Sequence, residues 1–143
     1  MDRYRITAKH SGKCLDIPFG SGENGVNLQQ YTQSKGLNQL FILTPVYFRI
    51  IAKHSGKCLD IPFGSKENGE KIQQYTWHEG NNQLFTLSPA FDYLFDKSYS
   101  CKIIAKHSGK CLDISQASIT DQAQVIQWGC HEKDNQIFDI VPV

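Results

Sequence analysis

The decapeptide Ala8-Lys9-His10-Ser11-Gly12-Lys13-Cys14-Leu15-Asp16-Ile17 recurs without change at Ala52–Ile61 and at Ala105–Ile114. In the first two copies the identity continues through Pro-Phe-Gly-Ser, to Ser21 and Ser65. A fixed self-similarity of this kind sets the architecture before any local propensity does, because each copy heads the same supersecondary unit. The copies begin 44 and then 53 residues apart, so each unit is longer than its decapeptide.

Aligning on the decapeptide brings two further blocks into register without a gap. Gln29-Gln30-Tyr31, Gln73-Gln74-Tyr75 and Ile126-Gln127-Trp128 form one, and Asn38-Gln39-Leu40-Phe41, Asn82-Gln83-Leu84-Phe85 and Asn135-Gln136-Ile137-Phe138 the other. The units therefore run from about Tyr4 to Leu43, Phe48 to Leu87 and Cys101 to Ile140. Within each, apolar residues alternate with polar ones and are broken by Gly, Asn and Ser, the pattern of short strands and tight turns. Tyr4, Ile6 and Ala8 alternate with Arg5, Thr7 and Lys9. His-Ser-Gly-Lys reads as a turn, Leu15 and Ile17 alternate with Cys14 and Asp16, and further strands are expected over Val26–Thr32 and Asn38–Leu43. Four strands per unit give twelve in an all-β chain, with no helical periodicity.

Length and composition limit the rest. At 143 residues one domain is expected, with a core of useful size. Fifteen basic and fourteen acidic side chains leave a net charge of +1, so no basic face argues for nucleic acid. No apolar run approaches the ~18 residues of a membrane span. The opening MDRYRI has no apolar signal stretch, so an intracellular protein or a module of a longer chain is expected from the residues alone. The joins between units are unequal. The insert over 88–100, with Phe91, Tyr93, Leu94, Phe95 and Tyr99, is expected either to fold back over one end of the body or to offer an apolar surface to a protein partner.

Three units are too few for a propeller of roughly four to eight blades, whereas a closed threefold body lets each unit bury its apolar face. The triplicated Cys-Leu-Asp, the Gln-Gln-Tyr or Ile-Gln-Trp strand and the closing Asn-Gln-x-Phe resemble the ricin B-type lectin domains over about residues 3–141. That resemblance implies a β-trefoil with pseudo-threefold symmetry and a carbohydrate-binding function without catalysis or cofactor. It also implies an extracellular or secreted setting.

Alternation places Asp16 on the face opposite Leu15 and Ile17, and Gln29 with Tyr31 on the face opposite Leu28. The same holds for Asp60 and Asp113. A carboxylate accepts hydrogen bonds from neighbouring sugar hydroxyls, a ring covers the apolar face of a pyranose, and an amide both donates and accepts. By the resemblance, unit one uses Asp16, Tyr31 and Asn38, with Gln39 holding the aspartate. Unit two uses Asp60, Tyr75, Asn82 and Gln83, and unit three Asp113, Trp128, Asn135 and Gln136. Unit three departs in having Ile126 where the others have Gln29 and Gln73. The implied ligand is a galactose-type glycan, bound weakly at up to three equivalent sites and more tightly where many glycans are displayed.

Five cysteines cannot all pair within one chain. The resemblance implies a Cys111–Cys130 bridge, which units one and two cannot copy because Gln33 and Trp77 stand in place of Cys130. Cys14 and Cys58 are then expected to be free thiols, and Cys101, where Tyr4 and Phe48 stand in the other units, a small core residue. His10, His54 and His107 sit beside Lys9, Lys53 and Lys106, whose charge disfavours a metal ion, so they are expected to be solvated turn residues. Ser-Gly-Lys lacks the spacing of a phosphate loop, and no nucleophile is singled out by the repeated Ser, His and Asp. The alternatives are a protein-interaction trefoil, which would not need an Asp–aromatic–Asn set in every unit, and the binding module of a larger glycoside hydrolase or toxin.

Overall fold

The computed structural model describes residues 2–44, 48–89 and 97–143. Twelve strands run through them. Unit one contributes β1 (Tyr4–Ala8), β2 (Cys14–Asp16), β3 (Gln29–Tyr31) and β4 (Phe41–Leu43). Unit two contributes β5 (Ile50–Ala52), β6 (Cys58–Asp60), β7 (Gln73–Tyr75) and β8 (Phe85–Ser88). Unit three contributes β9 (Tyr99–Ala105), β10 (Cys111–Ile114), β11 (Val125–Trp128) and β12 (Phe138–Pro142).

The outer strands of the units make a barrel. Strand β1 pairs with β4 and β12, β4 with β5, β8 with β9, and β9 with β12, all antiparallel. A bridge from Phe48, just ahead of β5, to Phe85 on β8 closes the ring. The inner strands form three hairpins, β2–β3, β6–β7 and β10–β11. Single bridges Asn27–Gln73, Gln29–Gln124 and Lys71–Ile126 tie each hairpin to the other two. A six-stranded barrel with three hairpins is the β-trefoil that the resemblance implies.

The alternation is realised on β1, where Tyr4, Ile6 and Ala8 are buried and Arg5 and Thr7 are half-buried. Phe41, Phe85 and Phe138, from the three closing phrases, are wholly buried in one core with Leu15, Leu59 and Leu112. Burying each phenylalanine stabilises the fold by roughly 1.5–3 kcal/mol. Cys101 joins this core as a small apolar residue. The decapeptide turn needs its glycine: Gly12 has φ +72, and its N–H donates to Ala8 O at 2.8 Å.

Two expectations about the chain's local structure are corrected. Strand β3 spans only Gln29–Tyr31, and Asn38 and Gln39 lie in a 3-10 turn, Leu37–Gln39, ahead of β4. The turn closes by Leu40 N–H to Leu37 O at 3.0 Å, which takes these residues off the sheet ladder. The same turn recurs at Asn81–Gln83 and Asp134–Gln136. The decapeptide histidines, moreover, are not simply solvated. His10 Nε2 donates to Ser118 O at 2.7 Å, His54 Nε2 to Ser21 O at 2.6 Å, and His107 Nε2 to Ser65 O at 2.7 Å. Each bond joins one unit to another, because the turn is packed against the neighbouring unit's loop. Of the insert, Tyr99 opens β9 and packs against the core, with its hydroxyl donating to Pro89 O. The expected roles of Phe91, Tyr93, Leu94 and Phe95 lie outside the described residues.

Candidate functional site

Every unit brings its aspartate, aromatic ring and closing amide together, because β2, β3 and the 3-10 turn meet at one edge of each hairpin. Asp16 opposes Gln29 across the β2–β3 ladder, as Asp60 opposes Gln73 on β6–β7 and Asp113 opposes Ile126 on β10–β11. The aromatic residue follows two positions later on the same face. Tyr31, Tyr75 and Trp128 are 37%, 39% and 43% exposed, whereas the glutamine just before each is wholly buried. The rings thus offer a face to solvent beside a carboxylate.

The aspartates are less open than alternation suggests. They avoid the apolar core, yet Asp16, Asp60 and Asp113 are only 4%, 2% and 4% exposed, because amides crowd around them. In unit one, Asp16 Oδ1 accepts from Gln29 Nε2 at 3.0 Å, and Oδ2 accepts from Gln39 Nε2 at 2.8 Å and Asn38 Nδ2 at 3.2 Å. Asn38 also donates to Ile17 O at 2.9 Å, and Gln39 to Thr32 O at 3.0 Å. Such bonds fix the direction of the carboxylate.

Unit two differs in one partner. Gln73 Nε2 donates to Asp60 Oδ1 at 2.9 Å, and Asn82 Nδ2 lies 3.4 Å from Oδ2. Gln83 was expected to hold Asp60 directly, but its amide bonds to Thr76 O at 2.9 Å. His78 Nε2 takes that place, 3.2 Å from Asp60 Oδ2, while the His78 N–H donates to Gln83 Oε1 at 2.9 Å. Gln83 Oε1 therefore holds the backbone at His78, as Gln39 does at Ser34 and Gln136 at His131. Asp60, Phe63, Gln73, Tyr75, His78 and Asn82 line a cavity of about 530 Å³.

In unit three, Gln136 Nε2 donates to Asp113 Oδ2 at 2.9 Å and His131 Nε2 lies 3.5 Å from the same oxygen. Asn135 donates to Ile114 O at 3.2 Å. Ile126 offers no amide to Oδ1. Burial is the largest influence on Asp113 and raises its pKa above the usual carboxylate value, against the pull of Gln136 and His131. Asp113, Trp128, His131 and Asn135, with Lys71 and Lys133, line a cavity of about 610 Å³. Cys111 and Cys130 are joined in a disulfide beside this site. Cys14, Cys58 and Cys101 are free and buried; burial raises the first two thiols and pushes Cys101 up to about 12. None is poised as a nucleophile.

Sequence inspection missed two sets of residues. His78 and His131 fall at one repeat position, where unit one has Ser34, and the gapless alignment was the available signal. Gln30, Gln74 and Gln127 were the other. Gln30 Nε2 donates to Ser118 O at 2.9 Å and Thr120 O at 2.7 Å, and its Oε1 accepts from Ser11 Oγ at 2.9 Å. Gln74 and Gln127 repeat this with Ser21 and Glu23, and with Ser65 and Glu67. Their place on the Leu28 face marked them as buried polar groups in need of partners.

The model of the family described as ricin-type beta-trefoil lectin domain-like matches residues 1–75, 37–96 and 81–143. Among solved structures, the designed threefold-symmetric protein ThreeFoil is 38% identical, with a TM-score of 0.88 over 99% of both chains. An exo-β-1,3-galactanase from Clostridium thermocellum is 33% identical with a TM-score of 0.90; the match covers all of this chain and 30% of that one. The C-terminal half of an earthworm R-type lectin, solved with GalNAc, shares the fold at 20% identity and a TM-score of 0.79, over the whole of both chains. Among curated protein sequences, none matches the chain.

Proposed function

The chain belongs to the ricin-type β-trefoil lectin family, and from that premise we propose that it is a carbohydrate-binding module with three related sugar sites, acting multivalently on galactose-type glycans. The observation that carries this is the threefold recurrence of an oriented aspartate beside a half-exposed ring and an amide. In each site the carboxylate would accept from adjacent sugar hydroxyls. Tyr31, Tyr75 or Trp128 would cover the apolar face of the pyranose, and Asn38, Asn82 or Asn135 would add a polar contact. Gln39, Gln83 and Gln136 position these groups. Support for galactose comes from the 33% identity to part of an exo-β-1,3-galactanase. That match also favours the binding module of a longer enzyme as the second setting.

Binding without catalysis fits the two cavities described. Each is lined by one carboxylate, Asp60 or Asp113, whereas glycoside hydrolysis ordinarily needs two. A single site of millimolar affinity supplies only about 4 kcal/mol, so useful retention on a glycan surface would come from avidity. Substituting Asp16, Asp60 and Asp113 by Ala singly and together, and measuring retention on β-1,3-galactan and a glycan array, tests this. Each single change is expected to weaken retention and the triple change to abolish it. A triple variant that binds like the parent would sink the assignment.

A further inference from the structure

Phe19 and Phe63 are unused by the fold. Each follows the proline after the site aspartate's strand, and each is wholly exposed, at 100% and 105%. Each also has a left-handed backbone, with φ of 58 and 56, a conformation that disfavours a bulky residue. The bend itself does not need phenylalanine, since Gln116 makes the same bend in unit three with φ 57. An exposed ring on strained backbone, present twice, points to a task outside the core.

Phe63 identifies the task by its company. It lines the same cavity as Asp60, Tyr75 and Asn82. Its neighbours in that lining, Asp60, Gln73, His78 and Asn82, are polar, with Tyr75 the one other ring, so Phe63 does not belong to an apolar patch of the size a protein partner would cover. We propose that Phe63, and by the repeat Phe19, form a second subsite that stacks on the sugar next to the one held by the aspartate. Sites one and two thereby select di- and oligosaccharides, while site three, with Gln116 at that position, reads a single residue. This rests on the sugar-binding function proposed above.

The test uses the full chain with only site two intact, as Asp16→Ala with Asp113→Ala, titrated with galactose and with β-1,3-galactobiose. The disaccharide is expected to bind roughly 3- to 10-fold more tightly than galactose. Phe63→Ala should remove that preference and leave galactose affinity within about twofold. In a chain with only site three intact, Gln116→Phe should create the preference. An unchanged preference in Phe63→Ala, or equal weakening of both sugars, would overturn the second subsite while leaving the sugar site standing. Concentration-dependent dimerisation that Phe63→Ala abolishes, with the disaccharide preference intact, would also overturn it in favour of a second copy of the chain. Failure of both sugars to bind even the unsubstituted chain would overturn the sugar-binding function and the subsite together.

Discussion

Units two and three build the same site on the same three elements and hold it by different means. In unit two, Asp60 is gripped from both sides, by Gln73 on Oδ1 and by His78 and Asn82 on Oδ2. Its rim carries Phe63, and Trp77 lies under Arg49, whose guanidinium carbon is 4.7 Å from the ring centroid. In unit three, Ile126 leaves Asp113 Oδ1 without that amide, Gln116 replaces the phenylalanine, and the Cys111–Cys130 disulfide stands where Trp77 stands. The bonds between units hardly differ: Gln74 and Gln127 each reach two carbonyls of a neighbouring unit at 2.7–2.9 Å. Threefold symmetry is thus enforced where units hold one another, and relaxed at the rim of each candidate site.

The largest test of this division is aimed at the inter-unit glutamines. Gln74→Leu and Gln127→Leu should each cost about 3 kcal/mol, since each takes the partner from a half-buried serine hydroxyl and from the carbonyl of Glu23 or Glu67, while Ser21 O and Ser65 O keep His54 and His107. Thermal unfolding should fall by roughly 10 °C in both. A difference between the two of more than ~1 kcal/mol would break the claim that the units share one scaffold.

The disulfide should separate the units next. Cys130→Ser opens a loop of sequence separation 19 and is expected to lower stability by about 3 kcal/mol on chain entropy. Trp77→Ala, at the matching position, removes an Arg49–Trp77 contact worth only about 0.5–1 kcal/mol. Denaturant melts of the two variants measure this directly, and equal losses would mean that the disulfide adds nothing peculiar to unit three.

These contrasts mark where sequence stopped being informative. Three blocks in one register made twelve strands legible, because alternation and glycine turns are local properties. Tyr31, Tyr75 and Trp128 were likewise legible as exposed rings. What was hidden depends on contacts between units. His10 looked solvated because its partner, Ser118 O, is a backbone atom 108 residues away. Asp16 looked open because alternation reports which face a side chain takes, and says nothing of the amides that Asn38 and Gln39 fold over that face from a 3-10 turn. His78 was missed for a related reason: its bond to Asp60 depends on a turn whose shape the residues do not announce.

The finest separation between the units lies in pH. Burial raises the pKa of Asp113 above the ordinary carboxylate value, so the folded chain binds this proton more tightly than the unfolded chain does. By linkage, the contribution of Asp113 to stability is fully present below the unfolded pKa and is lost as pH rises through the raised folded pKa. Sugar binding runs the other way, because the carboxylate must be ionised to accept from two hydroxyls. Site three should therefore release ligand as pH falls through that raised value, above the range where an ordinary carboxylate would protonate. Ile126→Gln would give Oδ1 the amide that Gln29 and Gln73 supply in the other units, favouring the ionised form by about 1 kcal/mol. In a chain with Asp16→Ala and Asp60→Ala, the midpoint for loss of galactose binding is expected to move to lower pH on this substitution. A midpoint that stays put would mean that His131 and Gln136, with Lys71 and Lys133 around the same cavity, already set the charge of Asp113, and that the missing amide is not what distinguishes unit three.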